Sequence, residues 1–261
     1  MEAIRNLYQT QRRWMNAAFG LAIVTLFWVF ANWQVGSELF FVGPWRVATY
    51  TFELFASGEI LDDLWISGVE FFWGFGVAGV VGISLGMIFG ISRGFREFFD
   101  PWLSALYATP SVALAPLIII WFGIDLWAKI VIVLITAVIP IILNTYTGVM
   151  SVGKEFQTLA NSFCIPKNQI LYKVLIPGSL PYIVTGLRLG ISRGIVGVVV
   201  GEYFGSHAGV GYQLFRGLDT FNMPLMMSCA AMLAGTGVVL NQVILIVERR
   251  MAPWRDSKLQ E

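Results

Sequence analysis

Long apolar runs separated by short polar stretches dominate this chain. Six runs reach the roughly 20 mostly apolar residues that a helix needs to cross the apolar layer of a bilayer. They lie at roughly 14–33, 64–91, 102–122, 127–146, 181–204 and 225–247. Beta-barrel strands would alternate apolar and polar residues over about 10 positions. Ile118-Ile119-Ile120 and Val198-Val199-Val200 break any such alternation. In lipid every span must satisfy its own backbone, which favours helices. The pattern predicts an all-α, polytopic membrane protein of about six transmembrane helices. Its parts are an N-terminal segment 1–13, a transmembrane domain 14–247 and a C-terminal tail 248–261.

Lys and Arg asymmetry sets the expected orientation. With the N-terminus inside, the cytoplasmic segments hold Arg5, Arg12, Arg13, Arg93, Arg96, Lys154, Lys167, Lys173, Arg249, Arg250, Arg255 and Lys258. The outer segments hold Arg46, Lys129 and Arg216. Both termini are therefore expected in the cytoplasm. The first run is read as a retained anchor, because Asn32-Trp33-Gln34 ends it in place of a small-x-small cleavage site.

Composition sharpens this picture. Of 261 residues, 57% are hydrophobic and 13% charged, with a mean hydropathy of +0.72. Soluble domains carry about 25% charged residues, so a soluble enzyme, a nucleic-acid binder and a disordered scaffold are disfavoured. The net charge of +1 offers no general surface for polyanions. Cys164, Cys229 and the single His207 are too few and too dispersed for a zinc site. No cofactor is expected in this chain.

Two connections are longer than minimal: an acidic outer loop at 34–63, and a cytoplasmic segment at 149–180. In the latter, residues 155–163 read as a short helix, and Cys164-Ile165-Pro166 breaks it. Residues 167–175 form a second helix, with Pro166 suited to its first turn. Ile176-Pro177-Gly178 is expected to end that helix before the fifth span. A helix-turn-helix thus protrudes into the cytoplasm.

This loop resembles the E-A-A-x3-G-x9-I-x-L-P signature of ATP-binding-cassette importer permeases. Thr158, Leu159 and Ala160 occupy the E-A-A positions, Cys164 the glycine, and Val174, Ile176 and Pro177 the I, L and P. Residues 108–117 running into Trp121-Phe122-Gly123-Ile124, the stretch 180–189, and 200–206 with Gly209-Val210-Gly211-Tyr212 are similar to the nitrate/sulfonate/taurine/bicarbonate-type members. The resemblance covers roughly residue 42 to the C-terminus. It implies a permease subunit in a bacterial cytoplasmic membrane, paired with a second permease subunit. It also implies a separate ATPase subunit, which would hold ATP and Mg and grip the loop at Thr158, Leu159, Ala160, Cys164 and Pro177. An extracytoplasmic binding protein would deliver the solute. The chain has no G-x4-G-K-[ST] phosphate loop of its own. A small anion such as a sulfonate, nitrate, bicarbonate or aromatic carboxylate is the expected cargo. The alternatives are a cationic or neutral solute such as a vitamin precursor, or a secondary transporter driven by an ion gradient.

Residues inside the spans mark a candidate pathway: Glu70, Pro110, Pro116 and Arg193. Charges within spans are costly and belong to pathways or to internal pairs. In the resemblance many relatives carry arginine where Glu70 stands; the change of sign counts against an anionic solute, and either compensates for an arginine elsewhere or fits a cationic or neutral aromatic solute. Arg193, near the midplane, is expected to pair with Glu70 or a carbonyl, or to meet an anion. Arg188 is read as snorkelling to the interface. Pro110, Pro116 and Pro140 should kink their helices. Gly82, Gly86 and Gly90 form a small-x3-small face for close helix approach. An intramembrane hydrolase would need a nucleophile and a base brought together, and neither that pair nor paired midplane aspartates are evident.

Overall fold

A computed structural model describes residues 2–37, 39–152, 162–163 and 166–251. Thr158, Leu159, Ala160 and Cys164 lie outside the described residues, as does most of the first arm of the cytoplasmic loop. The described elements are helical: α1 (Glu2–Val35), α2 (Pro44–Ser57), α3 (Leu61–Ile91), α4 (Arg93–Ala108), a 3-10 turn (Ser111–Leu114), α5 (Ala115–Phe122) and α6 (Leu126–Ser151). After the loop come α7 (Lys167–Ile170), a π-turn (Leu171–Leu175), α8 (Ile176–Gly205), α9 (Val210–Asp219) and α10 (Met223–Met251). Among the described residues five helical stretches are long and apolar enough to cross a membrane: Ala18–Val35, Leu61–Ile91, Leu126–Ser151, Leu171–Gly205 and Met223–Glu248.

The expected third span is not one helix. Arg93–Ala108 and Ser111–Phe122 meet at an 85° bend. Pro110 lies at the bend: it is extended (φ −68°, ψ 91°) and caps the 3-10 turn. Thr109 before it is also extended, since the proline ring disfavours helical backbone in the residue ahead of it. The expected break at Ile176–Pro177 does not occur. The helix runs from the π-turn through Pro177 and Pro181 into α8. A π-turn is a common site of such adjustment, and it falls just where Pro177 cannot donate a hydrogen bond. The acidic outer loop carries a helix of its own, α2. Pro44 stands at its first turn, and Gly58, at φ 78°, ends it by donating its N–H to the Phe55 carbonyl.

The contacts divide the chain into two units: Met1–Ile60 with Gln213–Ala231, and Leu61–Tyr212 with Met232–Glu261. In the first, Val42, Val47 and Met223 form a small buried cluster with Trp28 and Met226. The Trp28 indole N–H donates to the Val42 carbonyl over 2.9 Å.

The second unit is built on α3, α6 and α8. Glycines on α3 lie directly against side chains of α6. A Cβ at Gly74, Gly82, Gly86 or Gly90 would come within 2.5–2.7 Å of Val133, Ile141, Thr145 or Val149 respectively. The constant offset means that α3 and α6 run parallel, and only glycine permits so close an approach. This is the small-residue face read from the sequence. Helix α8 runs antiparallel to α6. Gly186 lies against Asn144 and Ile141, and Gly197 against Thr136 and Val133. Phe71, Val133, Ile191 and Val198 fill the space among the three helices. Large apolar side chains such as Trp65 (75% exposed) and Phe72 (63%) point outward, as suits helices solvated by lipid.

Candidate functional site

Polar chemistry inside the second unit gathers in two places. The first is a buried network at the N-terminal ends of α3 and α6 and the C-terminal end of α8. Asp63, Ser67 and Glu70 follow one another at three- and four-residue spacing and so share one face of α3. All three are buried, as are Lys129 of α6 and Glu202 of α8, and Glu70 and Glu202 are wholly enclosed. The Lys129 ammonium donates to Glu70 Oε1 at 2.7 Å and to Ser206 Oγ at 2.8 Å. Ser206 in turn donates to the Ala208 carbonyl at 2.6 Å. The Ser67 hydroxyl donates to Glu202 Oε1. Glu202 Oε2 accepts the backbone N–H of Gly211 at 2.5 Å and of Tyr212 at 3.3 Å. Gly209 donates to Asp63 Oδ1 at 2.6 Å, and Val210 to Ser67 Oγ at 2.9 Å.

The turn after α8 is thus pinned by its own amides to carboxylates and a hydroxyl on neighbouring helices. Four successive N–H groups, at positions 209–212, would otherwise be unpaired at the start of α9. Buried charges survive when they are paired and hydrogen-bonded, and most of this cluster meets that condition. Gly209 sits at φ 112°, and a side chain there would run into the Glu202 carboxylate, so the turn requires glycine.

The second place is an open cavity of about 460 Å³ between α8 and α10. Thr185, Arg188, Leu189 and Ser192 line it from α8, and Val238, Asn241, Gln242 and Leu245 from α10. Each set follows the i, i+3, i+4, i+7 spacing of a single helix face. Two mostly apolar helices therefore turn a polar stripe toward each other. Among the described residues that line it, Arg188 is the only charged one. Its Nε is buried and has no hydrogen-bond partner among the described residues. An arginine within a span costs about 2.5–3.5 kcal/mol on insertion scales, a cost that a water-filled cavity relieves.

The residues expected from the sequence are distributed as follows. Glu70 does not pair with Arg193; its partner is Lys129. Arg193 is exposed. It stands five positions past Arg188, about 140° around a helix of 3.6 residues per turn, and does not line the cavity. Pro110 and Pro116 are exposed on either side of the 3-10 turn. Pro177 lies in the first turn of α8. Lys129 and Glu202 were passed over because each lies near a span end, where a charge is unremarkable. Arg188 lies further along its helix than the expected span start at 181 implies, because α8 begins at Ile176. The recurrence of Thr185, Arg188 and Ser192 at helical spacing in an apolar span was the available signal.

A bundle of long apolar helices, with a polar cavity between two of them and a buried ion pair between two others, defines a membrane transport subunit. Residues 79–255 match the family described as binding-protein-dependent transport system inner membrane component. The chain belongs to that family and is the permease of an ATP-binding-cassette importer. It is 29% identical over 258 residues to a putative aliphatic sulfonates transport permease of Bacillus subtilis strain 168, a match covering 98% of this chain and 94% of the relative. It is 27% identical to the taurine transport system permease of Escherichia coli K12, covering 89% and 86%. A formylaminopyrimidine transport permease of Halalkalibacterium halodurans is 30% identical over 68% of this chain and 74% of its own length. Among solved structures, the inward-facing MetNI methionine ABC transporter aligns with a TM-score of 0.59 at 19% identity, covering 74% of this chain and 94% of that one. That likeness supports the fold.

Proposed function

We propose that this permease imports a small organic anion of the sulfonate class. The observation that carries the reading is the Glu70–Lys129 pair, at 2.7 Å with Glu70 wholly buried. A free carboxylate at Glu70 was the sequence's argument for a cationic or neutral solute. Neutralised by Lys129 and enclosed, Glu70 presents no negative charge to a solute. The near full-length similarity to relatives named for aliphatic sulfonates and taurine then points to an anion.

In this reading two permease chains form the pathway, and an extracytoplasmic binding protein delivers the solute. A separate ATPase subunit binds ATP and Mg and drives the cycle. The loop at 149–180 is its handle, through Thr158, Leu159, Ala160, Cys164 and Pro177. Both termini lie in the cytoplasm, and the pathway includes the bend at Pro110 and Pro116 and the exposed Arg193. ATP-driven closure of the ATPase pair moves the docked loop. Because α7, the π-turn and α8 follow without a break, that movement passes straight along α8. The partner thereby biases two packings of the spans.

The test is reconstitution of the permease with its ATPase and binding protein in proteoliposomes. ATP-dependent ethanesulfonate uptake, with ATP hydrolysis stimulated by loaded binding protein, is the expected result. An assembly that moves only neutral or cationic solutes refutes the anion reading. A permease that retains no ATPase subunit refutes the coupling assignment.

A further inference from the structure

We infer that Arg188 is the anion-contacting residue of the transport pathway, and that the polar groove between α8 and α10 is the site where the anion passes. This rests on the anion reading above and assigns it a place. Helix α8 has 30 residues and is about 45 Å long at about 1.5 Å per residue. Arg188 lies about 18 Å from its start. The apolar layer is about 30 Å thick, so any placement that leaves neither end of α8 short of a surface puts Arg188 within the layer.

Arg188 also lacks the partner that a static charge at this depth needs. Among the described residues no carboxylate lines the groove, and Arg188 forms no ion pair. Its Nε is buried and carries an unused N–H. Around it the polar groups are arranged unequally. Thr185 donates its hydroxyl to the Pro181 carbonyl at 2.9 Å, and Ser192 donates to the Arg188 carbonyl at 3.5 Å. Asn241 spends one amide N–H on the Gly237 carbonyl at 2.9 Å. These back-bonds hold the stripe's side chains against their own helices. The donors left facing the groove are the Arg188 guanidinium and the side-chain amides of Asn241 and Gln242. A planar fork of N–H donors matches two oxygens of a sulfonate or carboxylate. The volume, about 460 Å³, falls in the range of small-molecule sites, about 300–1,000 Å³. The open side of the groove permits entry and exit, which a carrier requires and a closed binding pocket does not.

Two sources could supply such an oxyanion: a transported solute or a lipid headgroup. The test uses the assembled transporter in nanodiscs and proteoliposomes. Phenylglyoxal, which labels accessible guanidinium groups, is applied with and without ethanesulfonate, and labelling at Arg188 is read by mass spectrometry. In nanodiscs of phosphatidylcholine alone, Arg188 is expected to label, and ethanesulfonate to slow that labelling at least 10-fold. In parallel, Arg188→Gln is expected to lower ethanesulfonate uptake at least 10-fold while the ATPase subunit stays bound, and Arg188→Lys to restore part of it.

Labelling that ethanesulfonate leaves unchanged, or undiminished uptake by Arg188→Gln, overturns the inference while wild-type uptake leaves the anion reading intact. Protection that appears only when phosphatidylglycerol is added, without any sulfonate, assigns the groove to lipid and also overturns it. Wild-type transport confined to neutral or cationic solutes overturns the anion reading itself. If Arg188→Gln fails to assemble, the labelling result on the wild-type complex decides alone.

Discussion

Replacing Lys129 with methionine removes the cation that neutralises Glu70 while leaving a side chain of similar bulk. Glu70 is wholly buried and Lys129 is 7% exposed, so water cannot take over the ammonium's role. Breaking a buried ion pair from one side costs about 3–5 kcal/mol, because the remaining charge stays enclosed without compensation. The Ser206 hydroxyl loses a donor as well, at 2.8 Å. For a protein of this size each kcal/mol corresponds to about 2–4 °C. Lys129→Met is therefore expected to lower the apparent Tm of the purified transporter by about 6–20 °C. The informative control is Glu70→Met combined with Lys129→Met. Replacing both partners with apolar groups of similar volume is often neutral or stabilising, so only the Ser206 hydrogen bond, about 1 kcal/mol, stays lost. The double variant should melt within about 5 °C of the parent. Intrinsic tryptophan fluorescence during heating reads all four members of the cycle, with Glu70→Met completing it. A Lys129→Met variant within about 2 °C of the parent would refute the reasoning, as would a double variant no more stable than the single.

Other parts of the structure make separate predictions. A Cβ at Gly86 would lie 2.6 Å from Thr145 Cβ and 2.8 Å from the Ile142 carbonyl, whereas one at Gly76 would meet nothing within 4 Å. Gly86→Val should destabilise by at least the about 1–3 kcal/mol of overpacking, and Gly76→Ala should leave the apparent Tm unchanged; equal effects would remove the α3–α6 seam from the account. Glu202→Ala deprives the Gly211 and Tyr212 amides of their acceptor, and leaving a buried donor unsatisfied costs about 1–3 kcal/mol. Exchange of those two amides should then quicken about 5- to 150-fold, with Glu202→Gln in between; unchanged exchange would mean that the carboxyl group does not hold the turn. A bulky Ala160→Trp should cut ATPase retention on affinity purification by at least about 30-fold, the scale of a central interface residue, and full retention would remove Ala160 from the docking surface.

Local chemistry was enough to mark the spans. The runs at 64–91, 127–146, 181–204 and 225–247 each fall within a long helix, because hydropathy and backbone satisfaction in lipid are properties of a segment by itself. The glycine stripe at Gly82, Gly86 and Gly90 was legible for a related reason: small residues at helical spacing have few uses other than close approach. The bend at 109–110 was half legible, since Pro110 showed where a helix must yield but not by how much.

Tertiary structure decided the rest. Glu70 and Lys129 stand 59 positions apart, in the same register as the glycine contacts, so the partner of Glu70 follows from how α3 lies along α6. A charge near a span end looks solvated in one dimension and becomes buried only when neighbouring helices cover it, as happened to Lys129 and Glu202. How far along its helix Arg188 lies turned on whether Pro177 stops the helix, and the helix continues through it from the π-turn. The groove needed one further fact, that the faces of α8 and α10 bearing Arg188 and Asn241 point toward each other. Sequence periodicity places residues on a face of one helix, but it carries no term for which face meets which neighbour; packing supplies that term.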